Sequence, residues 1–105
     1  MLKRTLVMNQ GETYNYTIRL LQSNGEVYDP SNWTAVAQMR KHSESSTYYS
    51  FATNITDEYI NLSMSAFETS LIPSGSYLYD VELTSGNQVI KVMSGIITVF
   101  AEITK

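Results

Sequence analysis

Apolar side chains recur at every second position through most of this chain of 105 residues, and this alternation limits the folds it can adopt. Between residues 13 and 21, Tyr14, Tyr16, Ile18 and Leu20 alternate with polar side chains. A period of two is typical of β-strands that bury one face and expose the other. The same alternation predicts strands over residues 33–40, 48–53, 59–64, 76–84 and 88–100, a short strand at 27–28, and either an edge strand or a flexible arm at 1–8.

The period of two changes at Ser65-Ala66-Phe67-Glu68. Serine followed three residues later by glutamate is the capping-box pattern that begins a helix, and Pro73 is expected to end it. The chain is therefore predicted to be all-β, with about seven strands in two packed antiparallel sheets and one short crossover helix. It contains no linker, internal repeat or low-complexity segment, so residues 1–105 are expected to form one domain.

Two further predictions concern the paths of the strands. Gly95 lies inside the long apolar run 88–100, and a glycine there is typical of a bulge or bend. Segment 54–58 separates two strand patterns and is expected to be a hairpin connection.

Two features resemble the immunoglobulin-like sandwich. Trp33 begins a strand after a turn, where that fold has its buried tryptophan. Tyr77 resembles the tyrosine of the tyrosine corner, which in that fold stands two residues before the second conserved cysteine. The resemblance implies that Ile18 and Tyr79 take the two cysteine positions and form, with Trp33, an inter-sheet core. The chain has no cysteine, so that core would lack the disulfide. Alternatively, Tyr77 is simply a strand residue that faces the core.

Four stretches are similar to small immunoglobulin-like domains of structural proteins from tailed-bacteriophage virions. The first is Tyr28-Asp29-Pro30-Ser31-Asn32-Trp33-Thr34-Ala35, leading to Ala37-Gln38-Met39-Arg40, and the second is Phe51 with Ile60-Asn61-Leu62-Ser63-Met64-Ser65. The third is Ile72-Pro73-Ser74-Gly75-Ser76-Tyr77-Leu78-Tyr79-Asp80-Val81-Glu82-Leu83, and the last is Ser94-Gly95-Ile96-Ile97-Thr98-Val99, closing with Glu102-Ile103-Thr104. Together they span nearly the whole chain through short motifs. The resemblance implies a component of a tail, baseplate, fibre or capsid surface, and it carries over no catalytic residue.

Charge and composition argue against several functions. The formal net charge is −3 and the seven basic residues are scattered, so no nucleic-acid partner is expected. No apolar run approaches the roughly 20 residues of a membrane span, and residues 1–8 do not resemble a signal peptide, so no membrane partner is expected. The single histidine, His42, lies in a polar loop, and we expect no cofactor and no enzyme activity. A calcium site formed by Asp29, Asp57 and Asp80 stays an alternative, without a contiguous calcium loop.

Tyr48, Tyr49 and Tyr59 lie near loops or strand ends, and their rings are candidate contacts for a partner or a glycan. The leading hypothesis is a non-catalytic structural or adhesion module of a phage particle, located in the virion after assembly in the host cytoplasm. Expected partners are other virion proteins, the host surface and further copies of the chain, paired through edges at 3–8 or 96–103. The alternative is a carbohydrate-binding β-sandwich that stacks a host-surface glycan on these tyrosines.

Overall fold

A computed structural model describes residues 2–19, 33–42, 46–56 and 59–102. These residues form nine strands and one helix: β1 (Leu2–Lys3), β2 (Leu6–Asn9), β3 (Tyr14–Arg19), β4 (Thr34–Arg40), β5 (Tyr49–Ser50), β6 (Ala52–Thr56), β7 (Tyr59–Met64), α1 (Ala66–Ser70), β8 (Gly75–Ser85) and β9 (Gln88–Phe100). The predicted strand at 27–28, Leu20 and the Tyr28–Asn32 part of the phage-like motif lie outside the described residues.

The strands form two sheets, as the sequence predicts. The larger sheet has the order β1-β9-β8-β4-β5, with β2 following β1 along the same edge of β9, and the smaller sheet has the order β3-β7-β6. In immunoglobulin-like domains, strands B, E and D form one sheet, and strands G, F and C form the other, extended by C′ in the variable type. The strands β3, β7 and β6 correspond to the first set, and β9, β8, β4 and β5 to the second. The protein is therefore an immunoglobulin-like β-sandwich.

The sandwich is not wholly antiparallel, contrary to the prediction. Both β1 and β2 run parallel to β9, with Leu2 beside Met93 and Leu6 beside Ile97. Residues 2–9 are therefore an edge strand with a break at Arg4 and Thr5, and the alternative of a flexible arm is wrong for this segment. The prediction of a free edge at 96–103 is also wrong for residues 96–100, because β9 lies between β2 and β8; residue 103 is outside the described residues.

The chain passes from the larger sheet to the smaller one at Phe51, within the segment predicted as one strand over 48–53. The amide of Phe51 donates to the carbonyl of Ala37 at 3.0 Å, and the hydroxyl of Thr53 donates to the carbonyl of Ala35 at 2.9 Å. The strand β6 then continues to Thr56, so the hairpin connection predicted at 54–58 is too long. Ile55 alternates with exposed polar neighbours and packs against the core, which makes this segment a strand.

The core lies between the sheets and contains most of the residues that the alternation places inward; the exceptions follow the bulge in β9, where Met93 is buried. Tyr77 and Tyr79 are buried in this core, and Tyr14 and Tyr16 are partly buried and pack against it. The other buried apolar residues are Leu6, Met8, Ile18, Ala35, Ala37, Met39, Phe51, Ile60, Leu62, Met64, Ile72, Val81, Leu83, Met93, Ile97 and Val99.

The predicted triad of Ile18, Trp33 and Tyr79 is only partly correct. All three contribute to the core, but Trp33 is only partly buried. Met39, not Trp33, stands beside Tyr79 in the β4–β8 register. Trp33 immediately precedes β4 and lies six positions from Met39, which is about 20 Å at the rise of a strand. The end of the sheet near Tyr79 is therefore filled by methionine and tyrosine, without a tryptophan at that level.

Both local motifs at the end of the sandwich are confirmed. The hydroxyl of Tyr77 donates to the carbonyl of Pro73 at 2.6 Å, which is the tyrosine-corner bond. At α1, the amide of Glu68 donates to the hydroxyl of Ser65 at 3.1 Å, and the amide of Ser65 donates to the carboxylate of Glu68 at 3.0 Å. These bonds fix the crossover between β7 and β8 and therefore the place where β8 enters the larger sheet.

Gly95 has a different role from the predicted bulge. The register shifts between Val81 and Glu82, and Val92 is the extra residue on β9, so the bulge precedes Gly95. Gly95 instead faces Tyr79 across the strands, and a side chain on it would overlap the carbonyl oxygen of Arg4. The hydroxyl of Tyr79 donates to that same oxygen at 2.6 Å. The absence of a side chain at Gly95 therefore allows Tyr79 and the Arg4 backbone to meet.

Candidate interaction surface

The structure separates the three tyrosines proposed as contacts. Tyr49 faces the core beside Met39, with its ring edge-on to that of Tyr77 at 6.2 Å. Tyr48 is 46% exposed, and the guanidinium of Arg40 lies 4.8 Å from its ring centroid. These two residues lie at one edge of the larger sheet, so they cannot form a single stacking platform with a residue of the smaller sheet.

Tyr59 belongs to that smaller sheet. It begins β7, where it pairs with Arg19 on one side and Thr56 on the other, and it is 41% exposed. Its side chain points outward, because the next residue, Ile60, is completely buried. Each tyrosine therefore has its own surroundings, and Tyr59 is the one that lies on the outer face of the smaller sheet.

Within the described part of the chain, no group of three or more His, Cys, Asp or Glu side chains could hold a metal ion. Asp29 and Asp57, two members of the alternative calcium site, lie outside the described residues. The third, Asp80, forms an exposed ion pair with Lys91, in which Nζ of Lys91 lies 3.5 Å from Oδ2 of Asp80. No helix among the described residues has the length and apolar character needed to span a membrane.

Burial changes the acidity of the core phenols. It raises the pKa of Tyr79 to about 12 and that of Tyr14 to about 12, with the nearby phenol of Tyr16 adding to both effects. Burial likewise raises the pKa of Tyr77. These hydroxyls remain protonated near neutral pH, so Tyr77 and Tyr79 act as permanent hydrogen-bond donors to backbone carbonyls.

The outer face of the smaller sheet is polar. Its outward residues alternate with the core residues of β3, β7 and β6. They are Asn15, Thr17, Arg19, Ala52, Asn54, Thr56, Tyr59, Asn61 and Ser63. The amide of Asn61 donates to the hydroxyl of Thr17 at 3.3 Å across two strands. This face has the composition expected of a sheet surface that faces water.

The outer face of the larger sheet is different. Of the ten large apolar residues that are exposed in the described part of the chain, six lie on it, each 42–59% exposed. They are Val7, Val36, Leu78, Val89, Ile96 and Phe100. They occupy positions that the alternation assigns to the outward, polar phase of β2, β4, β8 and β9. We call the whole outer face of the larger sheet the apolar face; it also carries the charged residues Lys3, Arg40, Asp80, Glu82 and Lys91.

Four of these side chains cluster at one end of the apolar face. Leu78 and Ile96 are directly opposite each other across β8 and β9. Val7 is opposite Thr98, the residue between Ile96 and Phe100 on the same face of β9. Diagonal neighbours in a sheet lie about 7–8 Å apart, within reach of large side chains. The four residues therefore form one continuous patch across three strands.

The middle of the apolar face is charged. Lys91 contacts Asp80 at 3.5 Å and Glu82 at 4.0 Å, and all three side chains are substantially exposed. Lys3 and Arg40 point to the same side, because they pair with Ser94 and Leu78. The face thus carries three basic and two acidic groups, although the whole chain has a net charge of −3. Exposed ion pairs of this kind stabilise a monomer by less than about 1 kcal/mol.

No protein-family model and no curated protein matches the chain. Solved structures are similar to it, among them the three that follow. InlP from Listeria monocytogenes is 17% identical over 95% of this chain, with a TM-score of 0.48, and the novel immune-type receptor 11 extracellular fragment from Ictalurus punctatus is 17% identical over 100%, with a TM-score of 0.42. A family 123 glycoside hydrolase from Clostridium perfringens is 11% identical over 97%, with a TM-score of 0.41.

The extents of these similarities differ. This chain spans 88% of the receptor fragment, but only 26% of InlP and 23% of the hydrolase. All three TM-scores lie below 0.5, so the assignment of the fold rests on the sheet order and register described above.

Proposed function

We propose that this chain is a non-catalytic structural or adhesion module of a bacteriophage particle, and that it binds other proteins through the apolar face. The observation that carries the binding role is the contrast between the two outer faces. One is polar except for Ala52 and Tyr59, whereas the other exposes six large apolar side chains. Monomeric proteins rarely expose large continuous apolar patches, and such patches are typical of interaction sites.

The phage assignment is supported by the sequence motifs that resemble virion domains. Two of them fall at positions that shape the sandwich. Pro73 and Tyr77 form the tyrosine corner, and Gly95 allows the edge strand to approach Tyr79. These are structural roles, which suit a family whose common residues maintain a scaffold and carry no reaction.

The assignment can be tested on purified particles. Phage particles from induced cultures of the source organism would be banded in a density gradient, digested and examined by mass spectrometry. We expect peptides of this chain in the particle band, at a constant ratio to the major virion proteins. If the chain occurs only in the fraction outside the particles, and equally in uninduced cultures, the phage role is wrong.

A carbohydrate-binding module is the alternative function, and the exposed ring of Tyr59 is the observation that favours it. Aromatic rings on a flat sheet surface can stack against sugars. A glycan array with the wild-type chain and Tyr59→Ala tests this alternative. Binding that the substitution abolishes would support it, and the absence of binding to any glycan would remove it.

A further inference from the structure

We propose that the apolar face is the contact between two copies of this chain. The two-fold axis lies in the interface, runs parallel to β8 and β9, and passes between them. This inference rests on the proposed function as a binding module and names the partner as a second copy. In an interface of this symmetry, the same patch is used by both copies, so it must complement itself.

The strand register shows that the apolar face meets this requirement. A rotation about an axis between β8 and β9 exchanges the two strands, so each side chain faces its own cross-strand neighbour in the other copy. Leu78 then packs on the partner's Ile96, and Ile96 on the partner's Leu78. The two pairs bring the centres of both apolar patches together, as expected for sheets that pack face to face about 10 Å apart.

The same rotation pairs the unlike charges of Glu82 and Lys91. Glu82 is opposite Lys91 in the β8–β9 register, so Glu82 faces the partner's Lys91, and Lys91 faces the partner's Glu82. Asp80 faces the partner's Ser94, a hydrogen-bond donor. An acidic chain would ordinarily repel its copy, but this face carries both signs and pairs unlike charges across the interface. Such complementarity selects one partner and one orientation.

The area is at the lower limit for a specific dimer. The strands of the larger sheet contain 39 residues. At about 3.3 Å along a strand and about 4.8 Å between strands, they cover about 620 Å². Two copies would therefore bury roughly 1,200 Å² in total, the lower end of the range for specific interfaces, which predicts a weak to moderate association.

The first experiment measures the oligomeric state by sedimentation velocity from about 1 µM to about 1 mM, the range of weak to moderate association. We expect a monomer–dimer equilibrium for the wild type. Ile96→Lys should weaken the dimer at least about tenfold, because it buries a charge against the partner's Leu78. Asn15→Lys makes the same change of charge on the outer face of the smaller sheet and should leave the equilibrium unchanged. A wild type that is monomeric throughout, or two variants that behave alike, would overturn the proposal.

The second experiment uses surface charges, so that folding is not at risk. Lys91→Glu gives a face with acidic residues at positions 82 and 91, and Glu82→Lys gives a face with basic residues at both. We expect each variant alone to dimerise at least about tenfold more weakly than the wild type, and the mixture to form a heterodimer. Matched pairs of changes at Asn15 and Thr17, to two glutamates in one chain and two lysines in the other, control for overall charge. The control chains keep the apolar face intact, so each should dimerise alone as strongly as the wild type. Control chains that associate only when they are mixed would contradict the proposed register.

The result is separable from the phage assignment. Sedimentation is measured on the purified chain, and the particle experiment detects its presence in virions. A dimer from a chain that is missing from particles would leave this inference intact and refute the phage role. A monomer that is found in particles would refute this inference and leave that role intact.

Discussion

Gly95→Ala is expected to detach the edge strand from the larger sheet. The added methyl group would overlap the carbonyl oxygen of Arg4 and lie 3.0 Å from its carbonyl carbon. These are backbone atoms, so they cannot yield without a shift of the strand. The amide of Arg4 donates to the carbonyl of Ser94 at 3.1 Å, and the hydroxyl of Tyr79 donates to the carbonyl of Arg4 at 2.6 Å. A shift large enough to accept the methyl group breaks both bonds.

The size of the effect follows from these two bonds. Each intramolecular hydrogen bond contributes about 1 kcal/mol net, and a buried donor left without a partner costs about 1–3 kcal/mol. The hydroxyl of Tyr79 would be such a donor, because the residue is only 4% exposed. We therefore expect Gly95→Ala to lower the free energy of unfolding by about 2–4 kcal/mol. That is a large share of the roughly 5–15 kcal/mol typical of small domains.

Urea denaturation measures this loss, and Gly86→Ala is the matched control. Gly86 has φ +56° in the two-residue turn between β8 and β9, and a methyl group there would meet no atom within 4 Å. Only the left-handed backbone is strained in that variant, at a cost of about 1–2 kcal/mol. Hydrogen exchange should also become faster at the amides of Arg4 and Leu6 in Gly95→Ala. If Gly95→Ala loses no more stability than Gly86→Ala, or leaves those amides protected, the explanation for Gly95 is wrong.

Three further outcomes are expected. Tyr77→Phe removes the bond to Pro73 and should lower the free energy of unfolding by about 1–2 kcal/mol in urea denaturation; no loss would deny the corner a stabilising role. Ser65→Ala removes the helix cap and should cost about 1 kcal/mol by the same measurement, whereas Ser65→Thr should restore most of it. Burial raises the pKa of Tyr79 to about 12, so the unfolded chain releases its proton first. The stability should therefore fall between pH 10 and 12, by at most about 1.4 kcal/mol per pH unit from this residue. Tyr79→Phe should flatten this fall, and an unchanged slope would exclude the contribution.

The alternation of side chains was enough to predict the two-layer architecture, because the burial of one face of a strand is visible in residues that are close in sequence. The capping box at Ser65 and the tyrosine corner at Tyr77 were also predictable, since each is formed by residues close in sequence. The parallel pairing of residues 2–9 with β9 was not predictable in the same way. It joins segments about 90 positions apart, and periodicity does not specify the neighbours of a strand.

The predicted bulge at Gly95 and the predicted place of Trp33 are wrong for the same physical reason. The bulge at Val92 and the close approach at Gly95 are three residues apart, and the sequence marks only the glycine. Likewise, Trp33 has the right parity to face the core, but its level along the sandwich depends on the β4–β8 register. The period of the side chains determines the face on which a residue lies. Its level along the sandwich depends on the register, which is defined only relative to the partner strand.

The apolar face is visible in the sequence as a departure from the alternation. Val7, Leu78, Ile96 and Phe100 interrupt the polar phase of their strands, while Thr17 and Asn61 keep it in theirs. An apolar residue in the outward phase indicates a contact beyond the monomer once the strands are known to be adjacent. That adjacency is a property of the sheet order, which the sequence pattern does not specify.

The proposed dimer covers the apolar face of each copy with the same face of the other copy. The most direct test is nuclear magnetic resonance with a soluble paramagnetic agent, which broadens signals of atoms that solvent reaches. We predict that the methyl signals of Leu78 and Ile96 are broadened at low protein concentration and protected at high concentration, while Asn15 and Thr17 stay accessible throughout. If the chain associates while Leu78 and Ile96 remain as accessible as in the monomer, the claim is contradicted.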